Sequence, residues 1–390
     1  MAQLLEGIKV LDLSRALPGP FCTQLLSDYG AEIIKIEDRT GDTVRNAEPR
    51  IAGTGARFYS VNRNKKSLTL DLRKADGQEI FKKLVARSDV LVDAFRPGTM
   101  DKLGLGYEVL SQVNPGIVYC GLNAFGSSGP WRNTPAHDIN VSSLAGVTDL
   151  TGDEEAPAIS ALQTAGLGGA LFAAIAILMA LYNRKTTGKG QYCDVSMLDS
   201  SISLLAYTLA DWSGTGCLPG RGRGRLTGGY AYFNIYETSD HQYISLGLAE
   251  EKFWTKFCRI INKPDYIEIH KKPEMQDEII TGIREIIRQK TRDEWNRILG
   301  YEELCYAPVL SLDEVSEHPQ VIERQMVVRV NNFLDSGKDM YLAGLPLKFS
   351  ENPGRLTLEF SKLGKHNREI VKGLGYDDRK IDLLESKEVI

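Results

Sequence analysis

Short apolar runs alternate with polar, helix-compatible stretches through the first two hundred positions. Ile8-Lys9-Val10-Leu11-Asp12-Leu13 has strand length and ends in a Pro/Gly turn. Pro20 then stands where a helix begins without losing a needed N–H, so a helix is predicted over Phe21–Tyr29. Further strands are predicted at Glu32–Ile36, Leu68–Leu72, Val90–Val92 and Gly116–Cys120, with a helix over Glu79–Ala86. This alternation implies an α/β chain of parallel β-α units with helices covering the sheet. Ligands of such sheets bind beyond the carboxyl ends of the strands, which directs attention to the turns after Leu13, Ile36, Val92 and Cys120.

Ala165–Tyr182 is uncharged over eighteen residues, close to the lower limit for crossing a bilayer. It is rich in Gly and Ala and stands alone, which predicts a buried central helix rather than a membrane span. Tyr192–Val195 reads as a strand and Leu198–Ala210 as a helix. Ser213–Tyr230 holds too many glycines for either and is predicted to be a linker. The expected division is a large domain over 1–212, a linker over 213–230, a smaller α+β domain over 231–308 and a final segment over 309–390. In the smaller domain a strand is predicted at Gln242–Leu246 and helices at Glu250–Ile261, Met275–Arg288 and Arg292–Leu299, while the final segment returns to strands and closes on a polar helical tail.

Composition narrows the function classes. The 390 residues carry 47 Lys+Arg against 51 Asp+Glu, and 42% are hydrophobic, which excludes a disordered chain and gives no basic footprint for nucleic acid. Six scattered cysteines and five distant histidines show neither a disulfide framework nor a local zinc motif, so no metal is expected. The opening residues lack a basic stretch followed by a long apolar run, so no signal peptide is expected, and a cytoplasmic location fits. Gly166-Leu167-Gly168-Gly169 does not complete GxGxxG, Gly214-Thr215-Gly216 lies outside a β-α turn, and no GxxxxGK[ST] occurs. Nicotinamide, flavin and P-loop readings therefore have little support.

Three groups of residues invite chemistry. Arg39 follows one predicted strand, and Arg63, Lys65 and Lys66 lead into another; they either clasp the phosphates of a nucleotide-bearing ligand or form a solvated surface. His137-Asp138 precedes an apolar helical run. Asp138 either caps that helix, or the pair acts in acid-base or nucleophilic chemistry where the dipole favours an anion. Glu250 and Glu251 open another predicted helix, where acidic residues are expected for the same dipole reason.

Several stretches together resemble the class III CoA-transferases, a family that includes formyl-CoA and carnitine-type transferases and the α-methylacyl-CoA racemases. They are Leu5–Ser14, Pro18–Gln24, Gly30–Glu37, Asn62–Ser67, Arg96-Pro97-Gly98, Leu103–Gly106, Thr187–Gln191 and Ala307-Pro308-Val309, in the family's order along nearly the whole chain. The resemblance implies a Rossmann-like large domain built from both chain ends, a smaller domain from the middle, and two ring-shaped subunits threaded through each other as an interlocked dimer. It also implies coenzyme A as substrate, carried as an acyl-CoA thioester on the large domain, with Arg39, Leu70, Arg96 and Lys102 at or beside positions lining the CoA site.

In relatives that transfer CoA, an aspartate before the central helix attacks the thioester, giving an anhydride and then an aspartyl-CoA thioester. Racemases use the same aspartate with a histidine to move an α-proton. Alignment through Ile177–Leu181 and Thr187–Gln191 puts that position at Gly166, which has no side chain, and Leu17 stands where the formyl-CoA enzymes carry a glutamine. His137–Asn140 resembles the racemase stretch holding the catalytic histidine, and Glu250 falls at an acidic position those enzymes keep near the site. Three functions follow from the resemblance. The chain is a subunit of a hetero-oligomeric CoA-transferase, acting on an acyl-CoA and a carboxylic acid, whose homologous partner supplies the aspartate; or a 2-methylacyl-CoA racemase using His137 with Asp138 or Glu250; or a non-catalytic CoA-ester binding protein. Loss of a nucleophile removes several powers of ten in rate, which favours the first.

Overall fold

Six parallel strands form the main sheet of the computed structural model, which describes residues 3–390. They are β1 (Lys9–Asp12), β2 (Glu32–Glu37), β3 (Lys65–Thr69), β4 (Val90–Asp93), β5 (Val118–Asn123) and β6 (Tyr192–Ser196), in the order β3-β2-β1-β4-β5-β6. The chain is thus a mixed α/β protein with a large parallel sheet. Winding reverses between β1 and β4, and such a reversal opens a crevice at the carboxyl ends of the strands.

Alternation along the strands divides the core. Val10, Val90 and Val118 join one apolar cluster, while their neighbours Leu11, Leu91 and Tyr119 join the other. On the valine face pack α1 (Pro18–Asp28), through Cys22 and Leu26, and the 24-residue Thr164–Thr187, through Ala170, Ala173 and Ile177. The opposite face is covered by Ala75–Val85 and Tyr107–Val113, together with Asn367–Gly373 and Asp378–Ser386 from the far end of the sequence.

Three expectations shift. The strand predicted at Leu68–Leu72 begins three residues earlier, because Lys65 and Ser67 are buried positions of β3 rather than surface ones. The helix predicted over Leu198–Ala210 breaks at Leu205 into Met197–Leu204 and Ala206–Thr215. The central helix Thr164–Thr187 is long and apolar enough to cross a membrane by length and composition, yet it is buried along one side only. Its small residues face the sheet, while Leu171, Ile175, Leu178 and Tyr182 are exposed.

By its internal contacts the chain divides into two compact units. The first comprises residues up to Ala145, Ala161–Leu204 and Gln320–Ile390; the second comprises Gly146–Ser160 and Leu205–Pro319. The glycine-rich segment 213–230 lies inside the second unit, where it is pinned by Arg221 to Asp149 and by Arg223 to Glu154 and Asp277. That unit also holds the antiparallel sheet of Phe233–Glu237, Tyr243–Gly247 and Tyr306–Pro308, packed with helices Glu251–Ile260, Gln276–Ile287 and Arg292–Leu299 around Trp254, Phe257, Ile283 and Trp295. All six cysteines are free.

Candidate active site

The crevice at the winding reversal holds a cavity of about 500 Å³. Its apolar floor is Leu13 beyond β1, Ile36 in β2, Leu70 beyond β3 and Phe95 beyond β4. Arg15, Arg39, Arg73 and Lys74 also line it, together with Glu37, Asp38, Asp71 and Glu388, so an apolar slot is edged by four cations and four acidic residues. Arg15 pairs with Asp38, Arg73 with Asp71 at 2.8 Å, and Arg39 with Glu388 at 3.3 Å. Burial works against the Asp38 charge, but bonds from Thr40 and Arg15 outweigh it and hold the carboxyl below its ordinary range. Arg39 and Leu70, singled out from the sequence, meet here; Arg15, Arg73, Lys74 and Phe95 were missed. Their signal was position, since each falls within a few residues of a strand's carboxyl end.

Arg63 and Lys65 do neither thing expected of them. Arg63 is buried on Asp28, at 2.6 and 2.8 Å, and donates to the carbonyl of Ala343. Lys65 is buried on four acceptors: the Asp12 carboxylate at 3.0 Å, Pro20 O and Thr23 Oγ1 at 2.8 Å, and Asn62 Oδ1 at 2.9 Å. Lys35 reaches Asp42 at 3.1 Å and the carbonyl of Ser14 at 2.8 Å. They are neither phosphate clasps nor a solvated face, because each charge is consumed by an internal partner. Lys66 alone lies near the surface, paired with Glu32 and Glu369. Burial opposes the Asp12 charge, yet Lys65, Lys35 and bonds from Ser14 and Thr23 prevail and depress its pKa; burial pushes Lys65 down to about 8. The network fixes the turn from Ser14 to Pro20, which carries Leu17 and Pro18. Gly19 completes the turn, since a Cβ there would stand 2.1 Å from that of Ser14.

Arg96 faces a second cavity, of about 470 Å³, with Asp93, Tyr119 and Tyr192. Burial raises the Asp93 pKa, and the Tyr119 hydroxyl donates to its carboxylate. Phe95 borders both cavities, and Arg96 lines a different one from Arg39 and Leu70. Lys102 is exposed at the end of the short helix Thr99–Lys102 and is absent from both linings.

Gly166 occupies the third position of the helix Thr164–Thr187, and its N–H donates to Asp138 Oδ1 at 2.8 Å. His137 is the N-cap residue of the helix Asp138–Leu144, and its N–H is held by Asn140 Oδ1 at 2.9 Å. Asp138 therefore does not cap the helix that follows it, one of the two roles open to it from the sequence, but closes the first turn of its neighbour. A Cβ at position 166 would stand 3.4 Å from Pro18 Cγ, 3.6 Å from Asp138 Oδ1 and 3.9 Å from Leu17 Cδ2. The structure thus brings Leu17, Asp138 and Gly166 together, with His137 exposed beside them in sequence. Glu250 belongs to the second unit, exposed at the N-cap of Glu251–Ile260. Among the described residues no group of three or more His, Cys, Asp or Glu side chains is placed to share a metal ion. Replacing Asp138 with Ala is expected to cost about 0.5–2 kcal/mol in urea unfolding, with Asn retaining most of the stability because its carbonyl also accepts.

Residues 5–367 match the sequence model described as CoA-transferase family III. An acyl-CoA transferase of Fusarium pseudograminearum is 33% identical over 96% of this chain and 85% of its own length. The α-methylacyl-CoA racemase of Homo sapiens is 31% identical over 99% of this chain and 97% of its own length. A crystal structure of a CAIB/BAIF family protein from Brucella suis superposes with a TM-score of 0.83 at 28% identity, covering 96% of this chain and all of that one. The chain belongs to CoA-transferase family III.

Proposed function

We propose that this chain is a subunit of an enzyme that moves CoA between an acyl-CoA and a carboxylic acid, and that a second, homologous chain supplies the attacking carboxylate. One observation carries the reading: position 166 has no side chain, and the carboxylate beside it, Asp138, is engaged by the Gly166 N–H. The cavity edged by Arg15, Arg39, Arg73 and Lys74 suits the substrate, because a CoA ester joins phosphates to an apolar body. Arg39 and Leu70 would hold it there, while Arg96 faces the neighbouring cavity and Lys102 lines neither.

The reaction then needs a carboxylate oxygen to attack the thioester carbon and expel CoA thiolate, and the thiolate to attack the enzyme carbonyl of the anhydride and release the donor acid. The acceptor carboxylate runs the same two steps in reverse, leaving with CoA and freeing the enzyme carboxylate. The exposed stripe Leu171, Ile175, Leu178 and Tyr182, at alternating four- and three-residue spacing, supports association with another chain, since so regular an apolar seam on one helix is costly in water. An interlocked pair, as the family resemblance implies, is the assembly we favour.

A second reading, racemisation of a 2-methylacyl-CoA, rests on His137 standing exposed beside Asp138 at a helix N-terminus. The test uses the chain alone and co-expressed with a homologue that carries the aspartate, following CoA exchange between two acids by chromatography. Transfer only in the co-expressed pair supports the subunit reading, and transfer at a normal rate by the chain alone overturns it. Deuterium entering the α-carbon, and lost in His137→Ala, would select the racemase instead. CoA-ester binding without turnover in any combination would leave a binding protein. Arg39→Ala is expected to weaken CoA binding roughly tenfold by calorimetry, the size of one charge-assisted phosphate contact.

A further inference from the structure

We propose that Glu388 is a built-in counter-ion that holds Arg39 at the cavity edge and must be displaced when a phosphate-bearing ligand enters. This rests on the reading of the cavity as the CoA site. The three ion pairs at the rim are not equivalent. Asp38 also accepts bonds from the backbone N–H and hydroxyl of Thr40, and Asp71 from the backbone N–H of Arg73, so both carboxylates are fixed by their own loops. The Glu388 carboxylate has no partner but Arg39 among the described residues, at 3.3 Å, and both side chains are half or more exposed.

The backbone on either side of Glu388 is firmly placed. Lys74 Nζ donates to the carbonyls of Lys387 and Glu388, the Asp71 N–H donates to the Val389 carbonyl, and Val389 and Ile390 are buried. A loosely held carboxylate is thus delivered to the cavity edge by an anchored segment. With Glu388 in place Arg39 is neutralised, and a ligand phosphate gains that guanidinium only by expelling an anion of like charge. Glu388 would therefore lower affinity for the anionic end of the ligand and leave its apolar end untouched.

The test is titration calorimetry of the full chain and of Glu388→Gln with two probes, CoA and pantetheine, which shares the thiol arm and lacks phosphate. The substituted residue is exposed, so folding is unaffected. Exposed pairs are weak, so the expected gain is roughly two- to fivefold tighter CoA binding in low salt, shrinking as salt is added, with pantetheine unchanged. In an Arg39→Ala background the gain should vanish. CoA binding by the parent chain with no gain in Glu388→Gln, or an equal gain for pantetheine, overturns the counter-ion role while leaving the CoA reading standing. Failure of both proteins to bind CoA overturns the two together.

Discussion

Gly166→Asp is expected to raise the CoA-transfer rate of the isolated chain by roughly a hundredfold or more, since a lost nucleophile costs several powers of ten and part of that returns with the carboxylate. Nothing in the backbone opposes the change. Position 166 lies within the helix Thr164–Thr187, and a Cβ there makes only ordinary contacts with Pro18, Asp138 and Leu17. Aspartate is a better helix residue than glycine, and in the first turn its charge complements the helix dipole. The opposing factor is Asp138, whose Oδ1 would stand 3.6 Å from the new Cβ. Two carboxylates so close disfavour joint ionisation and raise the pKa of the pair, which slows attack in mildly acid solution and is relieved as the pH rises.

Gly166→Asn is the control, with the same shape and no nucleophile, and it should remain at background. Leu17, which the family resemblance aligns with a glutamine of the formyl-CoA enzymes, is the reason to expect partial recovery. If the folded Gly166→Asp chain transfers no faster than Gly166→Asn, this position is not where the attacking group belongs.

The contrast between Gly166 and Lys65 shows what the sequence discloses and what it conceals. Strand-helix alternation was legible because the apolar runs at Val10, Ile33, Val90 and Val118 answer to a local rule, burial on both faces of a parallel sheet. The expectation that position 166 aligns with the nucleophile of relatives came from flanking motifs alone. The surroundings of that position were not legible, because Leu17 and Asp138 arrive from segments far away in sequence. Lys65 was misread for a related reason. Charge usually means surface, and only the fold shows that Asp12, Thr23 and Asn62 converge on one ammonium and make it a strand residue. Glu388 left no signal at all, since its partner Arg39 lies at the opposite end of the chain. Helix breaks such as Leu205 also escaped, because the residues on both sides favour helix and the boundary between the two compact units falls there.

Lys65→Met is expected to destabilise the first unit by about 3–5 kcal/mol, the usual cost of stranding one member of a buried ion pair. The methionine keeps most of the aliphatic stem, so packing changes little and the loss reports on charge. Asp12, fully buried, would keep its bonds from Ser14 and Thr23 and the field of Lys35, yet lose its nearest cation. Adding Asp12→Asn should therefore restore part of the loss, making the double variant more stable than the sum of the singles predicts.

The pH dependence follows from the direction of the Asp12 shift. In the parent chain its folded pKa lies below the ordinary value of 3.8, so it contributes stability above that value, which is lost as the pH falls below it. Without Lys65 the depression is smaller and less remains to be lost. The gap between parent and Lys65→Met should thus be widest near neutrality and narrow in acid, measured as urea midpoints at about pH 7 and about pH 3. A gap that stays constant would mean that Lys65 acts through packing and its backbone contact to Pro20, and that its charge does not hold the turn at the mouth of the site.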